Sequence, residues 1–525
     1  MQQPAINGEN QDIPSLRSLR KRREILSFVV TFVAVLGATP LLTLLGLSAG
    51  FSLALGAIGA LVVAFVAVRW PTMGFFMIVV CATLFEEDPL QYPDLTDKLH
   101  IYFWPSSLTG IPERPIGILF LLILFACIAH RFVKRERLLR GGALLWPFLG
   151  FLACVVFGII HGLSTGGTSQ TIVLEVRPFW YLFITYLLAY NLVTQKSQIR
   201  AFFWVVIIAA GIKGLQGCYI YFLVLHRNLT GQNEIMAHEE SFFFAALILL
   251  VIIFCLHYRY RPQLYVALAE LPFVIIAMLA NERRADYAAL GVGFAVAWIL
   301  IFLVKKQSRK SLVIGLIAFL IVGGSYVAIF ANIPGTFSYP ARAVVSIINP
   351  PPGDARDTSS NLYRTIEDFD LKYTAKQSFP LGFGFGKEFL QPQPLPNILS
   401  EDPVYLLIPH NTIYWVWMRL GPIGYLLFWY IIGSVIVRGC IIVRQLQDRY
   451  LQTVAIYIVA VTFMEIVVAY ADYQLYAFRN VIYLGLLIGI LLRLPELDKK
   501  VTAAESESKA TVVQPALPLD LILKQ

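Results

Sequence analysis

Apolar residues run for about twenty positions at a time along most of this chain, and polar positions collect between the runs. A hydrocarbon core of roughly 30 Å is crossed by about 20 helical residues. Runs of that kind recur from residue 25 to residue 494. The pattern predicts about fourteen crossings, at 25–45, 47–68, 72–85, 115–130, 143–161, 171–193, 201–224, 241–258, 264–281, 286–304, 311–330, 411–437, 451–470 and 480–494. The expected fold is therefore all-α, a polytopic transmembrane helix bundle, because a segment in lipid must satisfy its own backbone hydrogen bonds.

Two places break the pattern. Residues 331–408 form a connection far longer than an ordinary helix–helix loop, and such loops are commonly functional. This one carries the rigid turn "NPPPGD" (349–354), then "NLYRTIEDFDLKYTAKQ", whose Leu362, Ile366 and Phe369 suit an amphipathic helix on the membrane surface. The second place is "PHNTIYWVWMRLGPIGYLLFWY" (409–430), where Gly421 and Pro422 interrupt a crossing. Broken backbone at membrane depth is tolerated only where it is buried in protein or lines a cavity. The resulting organisation is an N-terminal segment at 1–24, a bundle at 25–330, the large loop at 331–408, C-terminal helices at 409–494 and a polar tail at 495–525, expected to be disordered.

Composition agrees: 58% of residues are hydrophobic, 14% are charged, and mean hydropathy is +0.68. The basic clusters "RSLRKRR" (17–23), "RFVKRERLLR" (131–140), "RYR" (259–261), "KKQSRK" (305–310) and "RGCIIVRQLQDR" (438–449) all fall on one side of a fourteen-helix chain. Basic loops are retained in the cytoplasm. Both termini are then cytoplasmic and the large loop is periplasmic, and the net charge of +9 reports topology, with no nucleic-acid motif present. The six cysteines show neither a disulfide framework nor zinc spacing.

Charge inside a bilayer is costly, so each such group is a candidate site. Arg177 in "LEVRPFWYLF" lies about two turns below the outer surface, and Glu175 cannot face it, since positions two apart diverge on a helix. Glu270 and Glu465 suit interhelical pairing. Arg283 and Arg284 sit in a tight outer turn, against the retention rule for positive charge, while Arg364 and Arg479 add cations to the same face. His410 precedes Asn411, a good helix N-cap, and so projects from a helix start at the outer surface. Each also has a plainer reading, as a headgroup cation or a polar helix start.

In their order, three motifs resemble the O-antigen ligase and polymerase superfamily of bacterial membrane glycosyltransferases. "RRADYAALGVG" is similar to that family's turn arginine before a small-residue helix, with Arg284 the better fit and Arg283 adjacent. "PLGFGFGKEF" resembles the spaced glycines that close its periplasmic loop, here Gly382 and Gly384, and "HNTIYWVWMRLGPIGYLLF" resembles its histidine–asparagine pair, here His410 and Asn411. The resemblance implies a GT-C-like inner-membrane enzyme that takes a polyprenyl-diphosphate-linked oligosaccharide donor and a glycan or lipid acceptor, with no cofactor and no metal. His410 and Arg284 would be catalytic, and Arg177, Arg283, Arg364, Asn411, Gly382, Gly384 and Arg479 would bind substrate. The rival class is a transporter or flippase of lipid-linked sugars, which calls for repeated halves that the sequence does not show.

The charge pattern makes a topological prediction. A single cysteine placed within 349–376 reacts with a membrane-impermeant reagent from the outside of cells or spheroplasts. Modification from the cytoplasmic side alone would overturn the orientation.

Overall fold

The computed structural model describes residues 51–86, 114–229, 235–333, 335–348, 355–396 and 403–513. Its helices are α1 (Phe51–Arg69), α2 (Pro71–Leu84), α3 (Pro115–Val133), α4 (Leu145–Ser164), α5 (Ser169–Leu192), α6 (Lys196–Tyr219), α7 (His238–Leu256), α8 (Arg261–Asn281), α9 (Arg284–Val304) and α10 (Arg309–Phe330). The remaining helices are α11 (Tyr339–Ile348), α12 (Ala355–Gln377), α13 (Thr412–Gln445), α14 (Arg449–Ala471) and α15 (Phe478–Val513). No strand occurs among the described residues. Among the described residues eleven helices are long and apolar enough to cross a membrane, and two shorter apolar helices lie at 58–69 and 71–84. They match the expected crossings from 47–68 onward, and the expected crossing at 25–45 lies outside the described residues. The chain divides at Arg69 into two compact units, the first holding α1. Everything below concerns the unit that begins at Trp70.

Its core is a set of close helix pairs, α15 along α5, α6 along α8, and α9 and α13 against α14. Helices in lipid associate chiefly by packing, which favours small residues at the contact. Gly485 and Gly489 supply these on α15. A Cβ at Gly485 would lie 2.6 Å from the Leu182 carbonyl oxygen, and one at Gly489 would lie 2.7 Å from that of Tyr186.

Charges buried in this core are paired, as their cost in lipid requires. Lys213 on α6 forms ion pairs with Glu86 and Glu240, and Arg479 on α15 binds Glu240 at 2.7 Å and the carbonyls of Ala82 and Thr83 at 3.0 and 3.3 Å. Glu465 likewise accepts from Asn480 across the α14–α15 contact at 3.4 Å.

The interruption in α13 has a specific partner. Gly421 adopts φ 64° and ψ −173°, and Pro422 has no N–H to give the carbonyl of Met418. That carbonyl accepts from Phe383 N–H at 2.7 Å, and the next one, Arg419, accepts from Gly384 N–H at 3.1 Å. The approach needs glycine on both sides: φ is +84° at Gly382 and +76° at Gly384, and a Cβ at Gly382 would stand 2.5 Å from the Gly421 nitrogen. The Arg419 side chain turns back to the same segment, donating to the carbonyls of Gly384, Lys387 and Leu407 at 2.8–2.9 Å and pairing with Glu175 of α5. Glu175 also accepts from Gly386 N–H at 2.5 Å. Glu175 thus faces away from Arg177, as helical spacing requires.

The large loop contains the expected helix, longer than its apolar spacing indicated. Leu362 and Phe369 of α12 are exposed, whereas Tyr363, Glu367, Asp370, Leu371 and Thr374 turn inward. Residues 514–525 of the polar tail lie outside the described residues. Helix α15 continues to Val513, past the boundary at residue 494, because Asp498 is recruited to the bundle and accepts from the backbone N–H groups of Gln447 and Asp448 at 3.0 and 2.8 Å.

Breaking a buried ion pair by removing one partner costs about 3–5 kcal/mol. Arg419→Met therefore lowers the thermal midpoint of the purified protein strongly, and the double variant Glu175→Gln/Arg419→Met recovers part of the loss because no charge is left alone. A double variant no more stable than the single one would show that the pair is not what holds this segment.

Candidate functional site

The head of α13 is built as its sequence indicates. The Asn411 side chain accepts from Tyr414 N–H at 3.1 Å, the expected cap, and Thr412 fastens the turn to α14 by donating to the Ala469 carbonyl at 2.8 Å. His410, just outside the cap, faces Glu367 of α12: Nδ1 lies 3.1 Å from Oε1, and its backbone N–H donates to Oε2 at 3.1 Å. A carboxylate on Nδ1 selects the tautomer with the proton there and leaves the Nε2 lone pair to accept. Tyr405 stacks on the imidazole at 4.8 Å and Tyr363 meets it edge-on at 5.4 Å, so the ring is held in one plane.

Helix α12 gathers four of the expected residues. Arg284 Nη2 donates to Asn361 Oδ1 at 3.0 Å, with Ser346 of α11 at 3.5 Å from Nη1. Asn411 donates to Asp368 at 3.0 Å, and Arg364 is among the cations acting on that carboxyl. Asn361, Glu367 and Asp368 thus bring Arg284, His410 and Asn411 onto two turns of one helix.

A second layer lies beneath. His238, the first residue of α7, places Nδ1 3.0 Å from Asp472 Oδ2, and the ring of Tyr473 lies 5.4 Å from that of His238 and 6.4 Å from that of His410. Burial would raise the Asp472 carboxyl, but His238, Arg283 and His410 hold it well below the usual carboxylate range. Arg283 therefore belongs to this layer, while its neighbour Arg284 belongs to the α12 layer.

The other expected residues are placed elsewhere. Arg177 is buried with its guanidinium 5.9 Å from the centre of the Phe478 ring, and Arg114 stands over the same ring at 4.6 Å. Arg479 is fully enclosed in the Lys213 network, away from the headgroup position its place in the sequence indicated. Gly382 and Gly384 spend their close approach on the interrupted backbone of α13 and on Gly162 of α4.

Sequence reasoning passed over Glu367, Asp368, His238, Asp472, Tyr405, Tyr473 and Arg114. For Glu367 a signal existed: Tyr363, Glu367, Asp370 and Thr374 form a stripe at helical spacing beside the apolar one. His238 and Asp472 lie 234 positions apart with no motif around either.

A multi-pass helical membrane protein whose turn arginine and histidine both pack against one polar helix defines the class. Within it, residues 271–429 match the family model described as O-antigen ligase. The match supports the resemblance to the O-antigen ligase superfamily, and with it a glycan-joining function of that type. It spans Arg283, Arg284, Arg364, Gly382, Gly384, His410 and Asn411, and leaves Arg177, His238, Asp472 and Arg479 outside. No curated protein matches the chain.

Asp368 gives a pH-dependent test of the α12 docking. Burial pushes its carboxyl up to about 6, against the opposing pull of the Asn411 amide, Lys372 and Arg364. Its unfolded value is about 3.9. Between those values the folded state keeps a proton that the unfolded state gives up, so raising pH from about 4 to 7 costs stability. Relative to Asp368→Asn, the wild type loses stability over that interval, measured as thermal midpoints at pH 4.5 and 7.5. A difference that does not change with pH would contradict the assignment.

Proposed function

We propose that this protein is an inverting glycosyltransferase that transfers or polymerises glycans from a polyprenyl-diphosphate carrier at the periplasmic face of a bacterial inner membrane. The observation that carries the reading is the His410–Glu367 pair, set two turns of α12 from Arg284. A sugar linked to diphosphate already has a good leaving group, so catalysis needs a base for the acceptor and cations for the departing charge.

His410 Nε2 takes the proton of the acceptor hydroxyl as its oxygen attacks the anomeric carbon, and Glu367 stabilises the imidazolium that forms. The bond from the anomeric carbon to the phosphate oxygen breaks, its electron pair stays on the diphosphate, and attack from the opposite face inverts the centre. Arg284 presents a planar fork suited to phosphate oxygens. Arg177 and Arg114 form the second cationic element, positioned within the bundle where a carrier lipid approaches. Arg364, half-buried on the same helix, favours an anionic substrate over a neutral one.

The orientation rests on the distribution of basic residues, and the domain boundaries at 24, 330, 408 and 494 rest on the apolar runs. We read the reaction as metal-independent, as the resemblance to the family implies.

The test separates the cations from the base. With a purified lipid-linked donor and chelator present, His410→Ala lowers turnover by roughly 10²–10⁴-fold, the range for a lost general base, while donor binding is nearly intact. Arg284→Lys keeps the charge, loses the fork and weakens both. Wild-type turnover in His410→Ala removes the histidine from the mechanism, and activity that chelator abolishes and magnesium restores overturns the metal-free reading. Counter-transport of an intact lipid-linked sugar by proteoliposomes, with no transfer, would instead favour the flippase.

A further inference from the structure

The transfer mechanism leaves one buried group of the site unused. Asp286, in the first turn of α9, is 3% exposed, and its Oδ1 has no hydrogen-bond partner. A buried carboxyl oxygen is costly unless a donor meets it. Asp472, Arg283, His238 and Glu239 all lie within its electrostatic reach. It therefore stands near the His238–Asp472 pair, and the Tyr473 ring lies close to the rings of both His238 and His410.

The charge of this layer decides what can occupy it. The Glu239 and Asp472 carboxylates gather around Arg283 and His238, with the buried Asp286 carboxyl beside them. A diphosphate brought here would meet cations already matched by carboxylates, whereas the α12 layer offers it Arg284 and Arg364. A neutral polyol fits the lower layer. Its hydroxyls donate to carboxylates and accept from an imidazole N–H, and the C–H face of a sugar ring packs on tyrosine. Few, fixed polar groups of this kind are what give a pocket its specificity.

We propose that Asp286, the His238–Asp472 pair and Tyr473 form a subsite that binds the hydroxyls of the transferred sugar, next to the His410 base and apart from the cations that hold the diphosphate. The proposal rests on the donor reading above. It assigns Asp286 as the hydroxyl acceptor and His238 as a sugar-binding residue held in orientation by Asp472.

Binding to the full-length protein in nanodiscs tests it, with undecaprenyl diphosphate alone and with its glucosyl, galactosyl and N-acetylglucosaminyl derivatives as probes. Wild-type protein binds at least one glycosylated carrier about 10-fold or more tightly than the bare carrier, the scale of one hydrogen bond to a charged group. Asp286→Ala and His238→Gln each remove most of that margin and leave affinity for the bare carrier within about twofold, which also shows that the variants are folded. Variants that keep the margin, or a wild type that shows none with all three sugars, overturn the subsite while leaving the carrier reading standing. A wild type that binds neither bare nor glycosylated carrier overturns both.

Discussion

The arrangement of the candidate site depends on two carbonyl groups in the first third of α13. Pro422 leaves the carbonyl of Met418 without its helical donor, and the turn at Gly421 strands that of Arg419. An unmet carbonyl at membrane depth is costly. Both are met by the backbone of residues 383 and 384, so this part of the large loop is pinned to the bundle. From there the constraint passes along the chain. Residues 390 and 393 donate backbone N–H groups to Thr374 and Asp370 of α12, Phe389 donates to the carbonyl of Leu406, and α12 then places Glu367 beneath His410. His410 stands at the head of the same interrupted helix. The break and the histidine are thus two ends of one closed loop of contacts.

The buried charges divide into two kinds by what they meet. Lys213, Glu86, Glu240 and Arg479 neutralise one another, and Arg419 with Glu175 does the same while satisfying the loop backbone. These groups hold helices together. The charges at the ends of α7, α9, α12, α13 and α14 form two mixed groups instead, Arg284, Arg364, Glu367 and Asp368 on and against α12 and Arg283, His238, Glu239 and Asp472 around Asp286.

The stretch that matches the O-antigen ligase family runs from α8 into α13 and contains the helix head, the loop and the turn arginines. The lower layer draws His238 and Asp472 from helices outside that stretch. Under the proposed function, the reaction chemistry comes from the matched segment, and the surroundings that distinguish one sugar from another come from the rest of the bundle.

The sequence alone determined the elements. Crossing a membrane requires about twenty apolar residues in a helix, so the apolar runs fixed where the helices lie, and glycine followed by proline fixed where one of them breaks. It also determined the cap at Asn411 and the divergence of Glu175 from Arg177, because both follow from local helical geometry. What only the tertiary structure decided is which distant groups meet. The glycines of "GFGFG" look from sequence like a substrate loop, yet their spacing serves the carbonyls of α13, and Arg479 looks like a surface cation until α2, α6 and α7 close around it. His238 and Asp472 carry no local pattern, since a contact between helix ends is set by how helices cross, and crossing is decided by packing along their whole length.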